Sequence, residues 1–168
     1  MRRTSFVVLS ALAVGLTAGP LAAQNLISQG GWEGFAMRRP DGRFDRCVLY
    51  NRTVRALEAS PYDMLGITRD GDGNIGLMVF FEPRSLSREA HTSIRMRIDD
   101  GAPVTLTGSA VSDFHVVIPG TLDGHALTAV RDARTVEFSI ATKTVRFAIA
   151  DVGAVLERLK TCVDTNAR

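Results

Sequence analysis

The chain has little of what usually announces chemistry. There are only two cysteines, Cys47 and Cys162, and no Cys-x-x-Cys, which excludes a thioredoxin-type redox pair. A zinc site on these two cysteines would need two further ligands. The three histidines, His91, His115 and His125, are far apart, and no His-Glu-x-x-His occurs. Gly108-Ser109 lacks the Gly-x-Ser-x-Gly frame of a serine hydrolase. There is no P-loop and no Gly-x-Gly-x-x-Gly ahead of a helix. Lysine is nearly absent, with only Lys143 and Lys160, so almost all of the 20 basic residues are arginine. These absences leave no catalytic residue, no metal ligand set and no cofactor to assign.

The longest apolar stretch, Phe6 to Leu16, is too short for a bilayer span, which takes about 20 apolar residues. It follows Arg2-Arg3 and ends at Thr17-Ala18-Gly19-Pro20, with Leu21-Ala22-Ala23 supplying small residues before Gln24. Positive start, apolar core, breaker and small residue in that order read as a secretory signal peptide over residues 1–23. The alternative, an uncut N-terminal anchor, conflicts with the length of the run. The 20 Lys+Arg and 18 Asp+Glu of the precursor become 18 of each once Arg2 and Arg3 leave. A neutral mature chain lacks the basic surface that nucleic-acid binding requires. After cleavage no stable membrane span is expected, and localisation is periplasmic or secreted. An even pair of cysteines in an oxidising compartment implies a Cys47–Cys162 disulfide, with two buried thiols as the alternative.

The remaining length, about 145 residues, fits one domain. Residues 24–31 read as a flexible lead, 32–163 as the globular unit and 164–168 as a frayed tail. Strand patterns dominate. Trp32 to Met37 and Phe44 to Tyr50 flank a Pro40-Asp41-Gly42 turn and form a first hairpin. Thr53 to Ala59 reads as a short helix or irregular. Met64 to Arg69 and Ile75 to Phe81 flank Asp70-Gly71-Asp72-Gly73-Asn74, a second hairpin. In Ser93 to Asp99, Ile94, Met96 and Ile98 alternate with Arg95 and Arg97, the period of a half-buried strand. Val104 to Val111, Phe114 to Ile118, Thr135 to Ile140 and Thr144 to Ile149 read as further strands. The His115 side chain falls on the face opposite Phe114 and Val116. A short helix is expected over Asp123 to Asp132, its apolar stripe carried by Leu122, Ala126, Leu127 and Val130. Asp151 is placed to cap a last helix. Val152, Val155, Leu156, Leu159, Cys162 and Val163 recur there at helical spacing. About eight strands and two or three short helices make an α+β fold. It is mostly antiparallel β, sandwich-like or a meander, with a packed C-terminal helix.

Two local patterns could carry binding. Asp70 to Gly76 resembles the opening of a calcium loop, but Ile75 stands where that loop needs glycine and Phe81 where it needs glutamate. Its flanks are strands, so the reading is a hairpin turn. Between residues 38 and 55, Arg38, Arg39, Arg43, Arg46, Arg52 and Arg55 face only Asp41 and Asp45. The planar guanidinium fork suits carboxylates and phosphates. Arg38, Arg39, Arg43 and Arg46 are therefore the candidate edge for an anion or a partner, against the alternative of a solvated arginine-rich surface.

The stretch from Ile98-Asp99 through Leu122, Leu127, the strands Thr135 to Ile140 and Val145 to Ile149, and the helix Val155 to Leu159 resembles the bacterial invasion-associated locus B family. The likeness lies in the C-terminal half. The chain departs from the family in lacking the extra cysteines expected mid-domain. The resemblance implies a periplasmic or secreted non-enzymatic protein touching the envelope or a host, and it transfers no site residue. The expectation is an exported binding or interaction protein of the cell envelope. Its partner would be an envelope or host protein or an anionic polymer. A periplasmic inhibitor of a lysozyme or protease is one alternative. An enzyme or metal carrier whose residues converge only in three dimensions is another.

Overall fold

The computed structural model describes residues 26–51, 63–80, 86–120 and 124–167. The expected signal peptide (1–23), the segment Thr53 to Ala59 and the arginines Arg52 and Arg55 lie outside the described residues. Among the described residues ten strands form one antiparallel sheet: β1 Ile27–Gln29, β2 Trp32–Arg38, β3 Phe44–Asn51, β4 Met64–Asp70, β5 Ile75–Phe80, β6 Glu89–Ile98, β7 Val104–Ala110, β8 His115–Ile118, β9 Thr135–Ile140 and β10 Lys143–Ala148. Helix α1, Gly124–Asp132, links β8 to β9, and α2, Val152–Asn166, ends the chain. The strand order is β1-β2-β3-β4-β5-β8-β7-β6-β9-β10. This is the expected α+β class, with neighbouring strands mostly joined as hairpins.

Register sorts the side chains into two faces. Cross-strand partners such as Cys47↔Arg69 and Leu49↔Ile67 share one face. The period of two carries Trp32, Leu65, Leu77, Val116, Ile94, Phe138 and Phe147 onto the same side, where all are buried. The sheet curls around this face. Trp32 Nε1 donates to the Ala150 carbonyl at 3.1 Å, and Asn51 Nδ2 to the Ala148 carbonyl at 2.9 Å, bringing the two ends of the sheet together. Helix α2 lies against β1 to β4. Its six apolar residues at helical spacing are those buried, Val152, Val155, Leu156, Leu159, Cys162 and Val163. Full burial of a side chain such as Val155 or Leu159 contributes about 1.5–3 kcal/mol. Cys162 reaches Cys47 on β3 in a disulfide with Cα atoms 6.2 Å apart, as expected.

Four local expectations are corrected. Within the stretch read as a flexible lead, Ile27–Gln29 pairs with β2 from Ile27↔Gly34 to Gln29↔Trp32, and Ile27 enters the core. One apolar residue in three is too short a signal to register as alternation. The tail is helical through Asn166, because Thr165 Oγ1 donates to the Thr161 carbonyl, Asn166 Nδ2 to the Cys162 carbonyl, and Lys160 pairs with Asp164 at 3.1 Å. Asp151 precedes α2 in a left-handed conformation, φ 57°, and makes no side-chain cap bond. Its carbonyl instead accepts the Val155 amide at 3.0 Å. Finally, Phe114 lies outside β8, and its ring and that of His115 both meet Phe80, at 6.3 Å and 4.0 Å. They do not point to opposite faces, because strand alternation does not extend back through the bend at 112–114.

Candidate functional site

The first hairpin carries the expected arginine edge at its tip. Residues 38–43 are all exposed, yet the tip is held by its own hydrogen bonds. The Arg39 amide donates to the Arg43 carbonyl at 2.8 Å, and the Gly42 amide to the Arg39 carbonyl at 2.9 Å. Arg38 Nη1 donates to the Gly42 carbonyl at 3.1 Å. Gly42 sits at φ +83°, a conformation that favours glycine. Asp41 accepts both the Arg43 amide at 3.0 Å and its Nε at 2.7 Å. These bonds, backbone first, hold the Asp41 carboxyl below the usual carboxylate range.

The four arginines do not act as one cluster. Arg46 Nε binds Asp45 at 2.8 Å, and Arg39 Nε approaches the same carboxylate at 3.5 Å. The Arg46 bond leads in lowering the Asp45 pKa. Arg43 is matched by Asp41, which leaves Arg38 with no carboxylate among the described residues. Arg38 and Arg43 line an open groove of about 450 Å³ with Phe44, Asp72 and the end of α2 at Asn166. Asp72 adds a negative rim, so the groove is polar and mixed in sign.

The loop at Asp70 is a hairpin turn. The Asp70 carboxylate accepts the Asp72 amide at 3.0 Å, the Asn74 amide at 2.9 Å and Asn74 Nδ2 at 2.9 Å. Burial pushes the Asp70 pKa up, but the Asn74 and Asp72 bonds together outweigh it and the net shift is downward. The carboxylate is thus spent on its own loop. Among the described residues no three His, Cys, Asp or Glu side chains converge on one point. No helix among them is long and apolar enough to cross a membrane.

His115 is the histidine whose surroundings bear on its chemistry. It is half-buried, stacked on Phe80 with rings inclined by 17°, and its Nε2 has no hydrogen-bond partner among the described residues. Burial lowers its pKa from 6.5. Phe80 also meets Tyr50, which meets Phe35, so a row of rings crosses the sheet face turned away from α2. His91 lies exposed on β6, and His125 is in the first turn of α1, so the three histidines belong to separate elements.

A second cavity, not anticipated from the sequence, lies between α1 and α2 over the β4–β5 hairpin. It measures about 180 Å³ and is lined by Arg69, Arg131, Glu157, Thr128 and Gly153 above apolar Ile75, Leu127 and Leu156. A signal for it was present. Arg69 continues the inward alternation of Leu65 and Ile67, where a charge needs a special surrounding.

No protein-family model matches the chain, and no curated protein matches it. Among solved structures, invasion associated protein B from Bartonella henselae matches with a TM-score of 0.51 at 13% identity, covering 83% of this chain and 97% of that one. The likeness therefore extends well beyond the C-terminal half in which the sequence resemblance lay. The chain shares the fold of invasion associated protein B.

Proposed function

We propose that the chain is an exported, non-catalytic binding protein of the cell envelope that meets a protein partner through the tip of its first hairpin. The observation that carries the reading is the tip itself. Every residue of it is exposed, yet its backbone is fixed by the Arg39, Gly42 and Asp41 hydrogen bonds. Its base is tied to α2 through Cys47–Cys162. A contact element ordered before binding loses less conformational freedom on binding, and arginine is enriched at protein interfaces. The disulfide fits a chain that matures outside the cytoplasm. The named role of the Bartonella protein, association with invasion, fits a surface task on the same fold.

An anionic polymer is the poorer partner, since Asp41 and Asp45 already pair with Arg39, Arg43 and Arg46. The inhibitor reading, in which the tip enters the cleft of a lysozyme or protease, is favoured by the same exposed and ordered turn.

The test compares mature wild-type chain with an R38A/R43A variant as immobilised bait in envelope extract at physiological salt. A discrete protein retained by the wild type and lost from the variant is expected, whereas immobilised heparin should separate the two little. Identical captures by both, or a large heparin difference without a protein partner, would overturn the reading. Inhibition of a lysozyme or protease that R38A/R43A abolishes would select the inhibitor form.

A further inference from the structure

We propose that the cleft between α1 and α2 binds a small zwitterion of the free amino-acid class, with Arg131 and Arg69 taking its carboxylate and Glu157 its ammonium. The cavity of about 180 Å³ corresponds to about six waters at roughly 30 Å³ each. That matches an amino acid with a small side chain.

Charge gives the ligand class. Among the described residues neither Arg69 nor Arg131 has a carboxylate within ion-pair distance. Their unmatched guanidinium forks beside a cavity suit a carboxylate. Glu157, on the α2 side of the cavity, would repel a dianion and offers an acceptor to an ammonium group. Each arginine also passes over a glycine that leaves room for it. Arg131 lies across Gly153, where an added Cβ would come within 3.1 Å of its Nε, and Arg69 lies over Gly73, where an added Cβ would come within 3.3 Å of its Nη2. Ile75 and Leu156 are buried and Leu127 half-buried. The floor they form is apolar, and a small aliphatic side chain would cover it.

L-Valine is the probe, titrated into the full mature chain by calorimetry and by amide NMR shifts. Acetate, phosphate and valinamide each lack part of the pattern. Saturable valine binding is expected, shifting the amides of Arg131, Gly153 and Glu157, with each control at least about tenfold weaker. R131A is expected to weaken valine at least about tenfold. R131K guards against a folding defect, because it keeps the charge, loses the fork and should also weaken binding. E157Q should weaken valine and leave acetate unchanged. The proposal is overturned by no saturable valine binding up to about 10 mM, or by full affinity in both Arg131 variants. Phosphate binding as tightly as valine, with E157Q improving it, would also overturn it by marking a plain anion site.

Discussion

His115 shows how one residue can make stability depend on pH. Its ring is stacked on Phe80 and its Nε2 lacks a partner among the described residues, so protonation would place a charge in a half-buried, apolar setting. Burial accordingly lowers its folded pKa from 6.5. Between that lowered value and 6.5 the unfolded chain binds a proton that the folded chain refuses. Stability is therefore greatest above 6.5 and falls as pH drops toward the folded value. Phe at this position keeps the stacking and removes the titration. Urea midpoints at pH 7.5 and 5.5 should show a clear loss for the wild type and a smaller one for His115→Phe. Equal losses in the two proteins would show that His115 is not the source. The sequence revealed His115 as a strand residue but not its surroundings, because Phe80 becomes its neighbour only through the β5–β8 pairing. Arg38, Arg39, Arg43 and Arg46 were legible as a group. Their division between Asp45, Asp41 and an open groove was not, because it depends on rotamers and on the bulge between Met37 and Arg38.

Elements were legible where a period repeated and illegible where it did not. Helix α2 offers six apolar residues at helical spacing, and each is buried. Strand β6 offers Ile94 and Met96 in alternation with arginines, and both are fully buried. By contrast β1 has three residues, and the turn into α2 places Asp151 at positive φ, a region uncommon for non-glycine residues even though aspartate is enriched there. The pairing of β2 with β3 depends on a glycine of little sequence prominence. A Cβ on Gly34 would collide with the backbone carbonyl of Val48, which cannot move aside as a side chain could. Gly34→Ala is therefore expected to cost at least about 3 kcal/mol, the upper end for overpacking. Gly42→Ala has open space and meets only the left-handed backbone penalty of about 1–2 kcal/mol. Chemical denaturation of the two variants should rank them in that order by a wide margin. Comparable losses would mean that β2 can shift away from β3, and that the first hairpin is not the rigid base assigned to it.

For the molecule as a whole, fold class could be read but strand order could not. Hairpin neighbours follow from short turns, whereas β5 meeting β8 and β6 meeting β9 are long-range choices made by the curl of the sheet. Among the described residues the bonds from Trp32 to Ala150 and from Asn51 to Ala148 help to close that curl. The covalent tie supplements them. Cys47 and Cys162 are 115 residues apart, so the crosslink spans nearly the whole described chain and restricts the unfolded ensemble strongly. A loop of about 100 residues corresponds to about 4.7 kcal/mol in the chain-entropy treatment, a large share of the 5–15 kcal/mol typical of a domain. Both sulfurs are buried, so replacing the pair with alanine also leaves a small void that adds to the loss. The C47A/C162A variant should lose roughly 3–5 kcal/mol of unfolding free energy, read from its lowered denaturant midpoint. Oxidised wild type should have no titratable thiol when denatured without reductant. If the variant matched the wild type in stability, helix α2 would be held by its apolar face alone, and the hairpin tip would lose the brace that makes it a preformed contact surface.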